Sequence, residues 1–199
     1  MMEKTTSDAI AYRRSTRLYK NEDINSEKVK KCLRNASIAP TSSNLQLWEF
    51  HHITSKDKMA KISKACFNQS AAKSAKQMVA FVSRKDLWRI RSIANLKFLN
   101  KQFDKQNLSS QLLRTKKQVN DYYKKIIPGI YTDLFGILGL IKFFIFHIIG
   151  FFKPMYRQSR LSDMRIVAHK STALAAQNFM ISMAAIGYDT CPMEGFDSR

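Results

Sequence analysis

The stretch ALAAQNFMISMAAIGYDTCPMEGFD, residues 173–197, combines the clearest helical pattern in the chain with a turn-rich ending. Residues 165–187 are rich in Ala, Met and Leu, contain no Gly or Pro before Gly187, and so predict a long helix. Gly187 is predicted to be the C-cap, because glycine adopts the left-handed backbone that ends many helices. A strand or loop is predicted to begin at YDTCPM, immediately after this helix.

Toward the N-terminus, helical and strand patterns alternate. Apolar residues at helical spacing predict helices at 7–14, 25–39 and 56–66, with Ser26 as the N-cap of the second, and a mostly helical stretch at 84–125. Short apolar runs predict strands at 47–54 and 77–83. Because helices outweigh the strands and separate them, the pattern predicts an α+β or α/β fold.

Composition limits the class of protein. The 199 residues suit one domain, and the 45% apolar fraction argues against disorder. The 34 Lys and Arg against 15 Asp and Glu give a net charge of +19, which favours anionic partners, although a generally basic solvated surface is the simpler interpretation. Cys32, Cys66 and Cys191 form neither a disulfide framework nor a zinc motif, and no apolar leader opens the chain, so we expect a cytoplasmic protein.

An apolar segment, LFGILGLIKFFIFHIIGFF, covers residues 134–152 with only Lys142 and His147 ionisable. Its length makes it a candidate membrane span, although a central lysine is unfavourable there. It could equally be a helix packed in a subunit interface or over a pocket, or an interfacial helix lying on a membrane whose anionic surface suits the basic flank KPMYRQSR. We keep the three alternatives open at this point.

Three stretches together resemble the nitroreductase family of flavin-dependent oxidoreductases: RRSTRLY (13–19), APTSSNLQLWEF (39–50) and residues 173–197, in matching order and spacing. The resemblance implies an α+β fold with a central, mostly antiparallel sheet flanked by helices, in a chain that forms homodimers. It also implies a single domain over residues 1–199, with a helical apolar insertion at about 100–160.

The resemblance further implies FMN as cofactor and NAD(P)H as co-substrate. In the family the second motif reaches across the dimer to the flavin of the other subunit, and the loop after the long helix lies over the flavin face. Carried over by motif position, with a weaker match at Asn68, the expected FMN-binding residues are Arg13, Arg14, Ser15, Arg17, Pro40, Thr41, Ser42, Asn44, Gln46, Asn68, Pro192, Met193, Glu194 and Gly195.

The chemistry of these residues suits FMN, because guanidinium and hydroxyl groups bind phosphate and Gly195 permits close backbone approach. Simpler interpretations remain: Arg13 and Arg14 as solvated surface, Glu194 as a turn cap, and Cys191 as a small buried side chain. We also expect Trp48 and Phe50 in the core, no metal site and no side chain acting as catalytic acid or base.

The sequence departs from the family pattern at two places. Leu47 stands where the family has proline. The chain also stops soon after the GFD motif, whereas the family continues with cations that bind the FMN phosphate, so we expect a truncated fold that binds FMN weakly or not at all. Since motifs on both sides of residues 134–152 must surround one flavin, the resemblance disfavours a membrane span and favours a helical excursion that packs on the dimer or touches a membrane surface.

The function implied by the resemblance is hydride transfer from NAD(P)H through FMN to a small acceptor such as a nitroaromatic or quinone. No nucleic-acid partner is expected, because no recognised motif is present. The alternatives are a non-catalytic basic protein that binds an anionic membrane surface or nucleic acid, and an inactive truncated family member.

Overall fold

Helices dominate the structure, and two short strands lie between them. The computed structural model describes residues 3–106, 109–134, 136–158 and 160–198. Within these ranges the elements follow in the order α1 (Thr6–Tyr12), α2 (Ser26–Ser37), β1 (Trp48–Ile53), α3 (Lys56–Ala65), α4 (Ser70–Ser74), β2 (Met78–Ser83), α5 (Trp88–Phe103), α6 (Ser110–Asp121), a π-helical turn (Tyr122–Ile126), α7 (Ile127–Tyr131), α8 (Ile137–Phe152) and α9 (Leu161–Ala185).

The start of α2 is fixed by Asn25. Its Oδ1 accepts hydrogen bonds from the backbone N–H groups of Glu27 (2.9 Å) and Lys28 (3.1 Å), which satisfies two donors that the helix itself leaves unpaired. The prediction that Ser26 is the N-cap was therefore wrong by one residue. Ser26 is the first helical residue, and its hydroxyl accepts a hydrogen bond from Gln77 Nε2 at 3.0 Å.

The two strands form one antiparallel sheet. Phe50 of β1 contacts Phe81 of β2, with ring centroids 4.9 Å apart, whereas His52 is hydrogen-bonded to Gln77, next to the start of β2, at 2.7 Å. Moving forward along β1 thus means moving backward along β2, which is the antiparallel arrangement. The expected α+β class, rich in helix with a small antiparallel sheet, is confirmed.

Helix α9 matches the stretch that dominates the sequence. It starts at Leu161 rather than at residue 165 and ends at Ala185. Gly187 has a φ of 81°, and its N–H donates to the Ala184 carbonyl at 3.0 Å. The predicted role of Gly187 in ending the helix is therefore confirmed, because a left-handed residue just past the last turn satisfies the terminal carbonyls.

The chain divides into two compact units, and each is described by itself. The first comprises Met1–Pro40, Glu49–Val82 and Thr172–Arg199, and the second comprises Thr41–Trp48 and Ser83–Ser171. These units do not decide the predicted single-domain boundaries or the insertion at about 100–160, which stay predictions.

Each unit has its own apolar core. In the first, Phe81 lies between Phe50 and Phe179 at centroid distances of 4.9 and 5.5 Å, so the sheet packs on the C-terminal half of α9. A further buried cluster in this unit contains Cys66, Ala72 and Met78. The buried cluster of the second unit comprises Leu45, Leu47, Ile127, Tyr131, Met164 and Ala168. Burial of this kind stabilises a domain by roughly 25 cal/mol per Å² of apolar surface.

Within the apolar segment at 134–152, helix α8 covers Ile137–Phe152, as predicted, whereas Phe135 lies outside the described residues. Gly136 precedes α8 with a φ of 87°, a conformation that glycine adopts without steric cost. Among the described residues, no helix is both long enough and apolar enough to cross a membrane.

Candidate functional site

The basic segment that follows α1 runs alongside the loop that follows α9. Ser15 forms an isolated parallel bridge with Thr190, and the N–H of Thr16 donates to the Thr190 carbonyl at 3.2 Å. The first predicted motif and the loop at the end of the third are therefore neighbours in the first unit.

The three arginines of this segment have different surroundings. Arg14 turns back onto the end of α1, where its Nη1 donates to the carbonyls of Ala11 (2.6 Å) and Arg13 (2.8 Å). In the described part of the chain, the guanidinium groups of Arg13 and Arg17 make no hydrogen bond or ion pair. Arg13 is half-buried and Arg17 is exposed. These two cations remain available to a ligand, whereas Arg14 caps a helix.

The Pro192–Gly195 loop is held against the chain that follows α3. Gln69 Nε2 donates to the Gly195 carbonyl at 2.8 Å, and the N–H of Asp197 donates to the Ala65 carbonyl at 2.9 Å. Met193 packs on the buried cluster around Cys66, which leaves Pro192, Glu194 and Gly195 exposed beside it. The loop is thus anchored on both sides of its exposed tip.

Asn68, the weaker of the sequence matches, lies within this anchoring region. Phe67 and Asn68 both have left-handed backbone, with φ of 55° and 54°, and the Asn68 N–H donates to the Ser63 carbonyl at 2.8 Å. Such a conformation costs a non-glycine residue of order 1–3 kcal/mol and is concentrated at functional sites. The turn places Gln69 where it reaches Gly195.

A small polar group surrounds the bridge between the two segments. The Thr190 hydroxyl is buried and has no hydrogen-bond partner in the described part of the chain. Burial, together with the nearby Cys191 and Asp189, raises the pKa of Tyr19 to about 12. Buried hydroxyls nearly always have a partner, so Thr190 marks a place where a polar ligand could bind.

The second motif forms a strained loop in the second unit. Ser43, Asn44 and Gln46 have positive φ of 55°, 51° and 49°. The Thr41 hydroxyl accepts from the Gln46 N–H at 3.3 Å, and the Gln46 side-chain amide donates to Asn44 Oδ1 at 3.3 Å. Ser42 is exposed, as is Pro40, the last residue of the preceding segment of the first unit.

Three side chains from other helical elements of the second unit fix this loop. Asn95 Nδ2 donates to the Asn44 carbonyl at 2.6 Å, and the Tyr123 hydroxyl donates to the Ser43 carbonyl at 2.9 Å. The hydroxyls of Ser43 and Tyr122 are 2.6 Å apart. The backbone carbonyls of Ser43 and Asn44 both accept hydrogen bonds from these side chains, which fixes the backbone of the loop.

A cavity of about 240 Å³ adjoins the same loop. Ser42 and Ser43 form one side of it, and the remaining lining residues are aromatic or aliphatic: Tyr122, Ile127, Ile130, Tyr131, Tyr156, Met164 and Val167. Trp88 stacks on Tyr131 with ring centroids 5.8 Å apart, which fixes one aromatic wall. The cavity is apolar with hydroxyl groups at its edge, as small-molecule sites commonly are.

The sequence profile of the nitroreductase family matches residues 10–199. The chain belongs to the nitroreductase family. The profile covers all three motifs, so the resemblance inferred from them is confirmed.

A curated relative and several solved structures accompany the family match. The protein DrgA from Synechocystis sp. is 25% identical over 193 residues, which cover 96% of this chain and 72% of that protein. A protein of Exiguobacterium sibiricum, described as a nitroreductase and crystallised with FMN, aligns with a TM-score of 0.61 and 21% identity over 98% of this chain and 77% of its own. A protein from Staphylococcus epidermidis, described as an NAD(P)H:FMN oxidoreductase, aligns with a TM-score of 0.67 and 18% identity. The alignment covers 99% of this chain and 76% of that protein. At these identities the structural matches show that the fold is shared.

Two residues that the structure brings next to predicted site residues were not singled out from the sequence. Gln69 lies outside the three quoted motifs and Thr190 lies inside the third, but neither residue type is distinctive alone. Thr190 directly precedes the Cys191–Gly195 stretch, so its place in the chain was a usable signal, whereas the contact between Gln69 and Gly195 joins residues far apart in sequence. The roles of the fourteen predicted residues stay predictions.

Proposed function

We propose that this member of the nitroreductase family is an FMN-dependent oxidoreductase that transfers hydride from NAD(P)H to a small electron-poor acceptor. The observation that carries the proposal is the Ser15–Thr190 bridge, which keeps the Arg13–Arg17 segment beside the start of the Pro192–Gly195 loop. The FMN in the Exiguobacterium structure and the description of the Staphylococcus protein agree with it.

The residues of the first unit fit FMN. The cofactor carries a phosphate and a polar ring edge, which need cations, hydroxyl groups and backbone donors. Arg13 and Arg17 supply guanidinium groups that have no hydrogen-bond or ion-pair partner among the residues that the structure describes, and Ser15 is exposed between them. The buried Thr190 hydroxyl still lacks a partner among the described residues. Charge-assisted bonds from arginine to phosphate are among the strongest hydrogen bonds in proteins.

Gly195 supports the same assignment. A Cβ atom added there would meet only Gln69 Nε2, at 3.7 Å, which is ordinary contact, and the residue has no left-handed backbone. The described protein therefore does not itself require glycine at this position. We propose that the glycine leaves room for the flavin ring, with Gln69 holding the Gly195 carbonyl so that the loop backbone keeps its orientation.

The chain's residues would act by binding and orienting. FMN, when bound, accepts hydride from NAD(P)H and delivers it to the acceptor. Arg13 and Arg17 would neutralise the phosphate, and the anchored Pro192–Gly195 loop would lie against the ring. No side chain is assigned as acid or base, because in this scheme the flavin carries the chemistry and the protein supplies position and electrostatics.

We further propose a homodimer in which the Thr41–Gln46 loop contributes to the site of the other subunit. The loop is strained and held by Asn95 and Tyr123, as expected of a ligand-binding element rather than a passive turn. The aromatic cavity beside it suits flat acceptors such as nitroaromatics or quinones. The three cysteines are all unpaired, which agrees with the proposed cytoplasmic location.

The test is reconstitution with FMN followed by steady-state assays. The purified protein, given excess FMN, is expected to turn yellow and to oxidise NADH or NADPH in the presence of a nitroaromatic or quinone. Replacing Arg13 and Arg17 by Gln should weaken FMN binding at least about tenfold, because the charge-assisted hydrogen bonds to the phosphate are lost. The charge-matched control replaces the exposed Arg34 and Arg114 by Gln and should bind FMN as the parent does.

Two outcomes would reject the proposal. One is a folded protein that neither takes up FMN at saturating concentration nor oxidises NAD(P)H. The other is an equal loss of FMN affinity in the Arg13/Arg17 variant and in its control, which would show that only net charge matters.

A further inference from the structure

Helix α8 exposes one wide apolar face. Its exposed residues are all large and apolar: Ile137, Leu140, Ile141, Phe144, Ile145, Ile148, Phe151 and Phe152. At 3.6 residues per turn these eight positions fall in one continuous sector about 140° wide. Phe151 and Phe152 are 84% and 87% exposed, far more than aromatic side chains of a core helix.

The two ionisable residues of α8, Lys142 and His147, lie outside this exposed sector and are half-buried. Lys142 Nζ donates to the Thr132 carbonyl, and His147 Nδ1 is 2.7 Å from the Phe143 carbonyl oxygen. Burial lowers the pKa of Lys142. The helix thus has the reverse of the usual surface pattern, in which polar residues face water and apolar ones face the protein.

The chain that follows α8 is basic, and Arg160 lies over the Phe143 ring, 4.0 Å from its centroid, on a side of the helix outside the exposed sector. The sequence contains no Asp or Glu between Asp133 and Asp163, whereas Lys153, Arg157 and Arg160 follow the helix directly. Lys153 is exposed. Arg157 Nη2 donates to the Gly150 carbonyl at 2.6 Å, which ties one of these cations to the last turns of α8.

We propose that α8 docks in the plane of an anionic phospholipid surface, with its apolar face among the acyl chains and the basic residues at the headgroups. A helix of this length spans about 24 Å when it lies flat. Wide apolar faces bordered by cations are typical of interfacial helices. A second copy of the chain is the less suitable occupant, because a symmetric contact would bring the same cations together within a protein of net charge +19.

The test is sedimentation of the full chain with vesicles of phosphatidylcholine alone or with about a third phosphatidylglycerol. The protein should bind the anionic vesicles and bind the neutral ones at least about tenfold more weakly, and added salt should release it. Replacing Phe144, Phe151 and Phe152 by Ser should lower binding about tenfold without changing the net charge. The matched control replaces the exposed Ile90, Ile93 and Phe98 of α5 by Ser.

A second pair of variants tests the charges. Lys153→Gln with Arg160→Gln should weaken binding to anionic vesicles, whereas Lys61→Gln with Lys64→Gln in α3, exposed residues of equal charge, should not. Circular dichroism and FMN uptake, measured on every variant, show that the fold and the flavin chemistry are unchanged, so failure here is separate from failure of the proposed function.

Three results would overturn the docking proposal. The first is no vesicle binding by the parent protein. The second is an equal loss of binding in the α8 variant and its α5 control. The third is a change of oligomeric state in the α8 variant without any effect on vesicles, which would assign the face to a second copy.

Discussion

Left-handed backbone is confined, among the described non-glycine residues, to two short polar loops. Ser43, Asn44 and Gln46 lie in one, and Phe67 and Asn68 in the other. The resemblance predicts site residues in both loops, with the weaker match at Asn68, but it does not predict their strain, because serine, glutamine and phenylalanine give no indication of a positive φ. Tertiary contacts therefore decide the backbone conformation of these predicted site residues.

A pair of glycine substitutions tests the end of α9. Gly187→Ala should lower the free energy of unfolding by about 1 kcal/mol, because alanine is strained at a φ of 81°. Gly129→Ala is the matched change inside helix α7, where an added Cβ meets no atom within 4 Å, and it should be neutral or slightly stabilising. Urea unfolding measures both; equal effects would contradict the assigned cap.

The contact between Gln69 and Gly195 makes a prediction of its own. Gln69→Ala removes the hydrogen bond to the Gly195 carbonyl but leaves an exposed position. Stability should change by no more than about 1 kcal/mol, while FMN affinity should fall several-fold because the loop loses its anchor. Gln118→Ala, an exposed glutamine of α6, is the control. Unchanged affinity in titrations of the Gln69 variant would remove this residue from the proposed site.

At the N-terminus of α2, the predicted N-cap, Ser26, is one residue from the observed N-cap, Asn25. Asn25 and Ser26 are both good N-cap residues, and only the contact of Ser26 with Gln77, a residue distant in sequence, separates their roles. Asn25→Ala should cost about 1 kcal/mol in urea unfolding, whereas Asn25→Asp, which keeps the acceptor, should cost much less. Similar losses in both variants would contradict the cap.

At the scale of elements, each predicted helix and strand is present in the structure, with ends within a few residues of the prediction. This agreement is expected because apolar periodicity and helix-ending residues are local properties of the sequence. What it left open was burial. The sequence of residues 134–152 was consistent with three environments, and only the structure shows that Lys142 and His147 are half-buried and hydrogen-bonded while the large apolar residues of one sector of α8 are exposed. Periodicity could not show this, since both faces of the helix are largely apolar.

At the scale of the whole molecule, the proposed dimer predicts complementation. One variant carries Arg13→Gln and Arg17→Gln; the other carries Asn44→Gly and Gln46→Gly, glycine being tolerated at positive φ. Each alone should be nearly inactive. Co-expressed, they should regain about a quarter of the parent activity, because half of randomly assembled dimers are mixed and each mixed dimer has one intact site. No recovery in isolated mixed dimers would place both residue pairs in the same subunit's site.

The stability of the whole chain should depend on alkaline pH. Burial, with nearby Cys191 and Asp189, raises the pKa of Tyr19 to about 12. Burial, with nearby Tyr156 and Tyr122, likewise raises the pKa of Tyr131 to about 12. Below about pH 10 both phenols are neutral whether the chain is folded or not; between about pH 10 and 12 only the unfolded chain ionises. The free energy of unfolding should therefore fall through this window and level off above it.

Two single substitutions to phenylalanine test whether Tyr19 and Tyr131 cause this loss of stability at alkaline pH. Tyr19→Phe and Tyr131→Phe should each flatten it and remove one late-titrating group from an ultraviolet titration of the folded protein. An equally steep fall in both variants would show that other groups cause it.

The first compact unit consists of three segments that are separated in the sequence. During synthesis on the ribosome these segments therefore become available for folding at different times. Thr41–Trp48 and Ser83–Ser171 have all been made before Thr172 emerges, so the second unit can fold first. The sheet of the first unit must wait, because Phe81 lacks the Phe179 ring until the C-terminal half of α9 is available. During that interval the apolar face of the sheet in the nascent chain is expected to be uncovered, where chaperones can bind it or other chains can aggregate with it. Packing of the C-terminal half of α9 then covers this face.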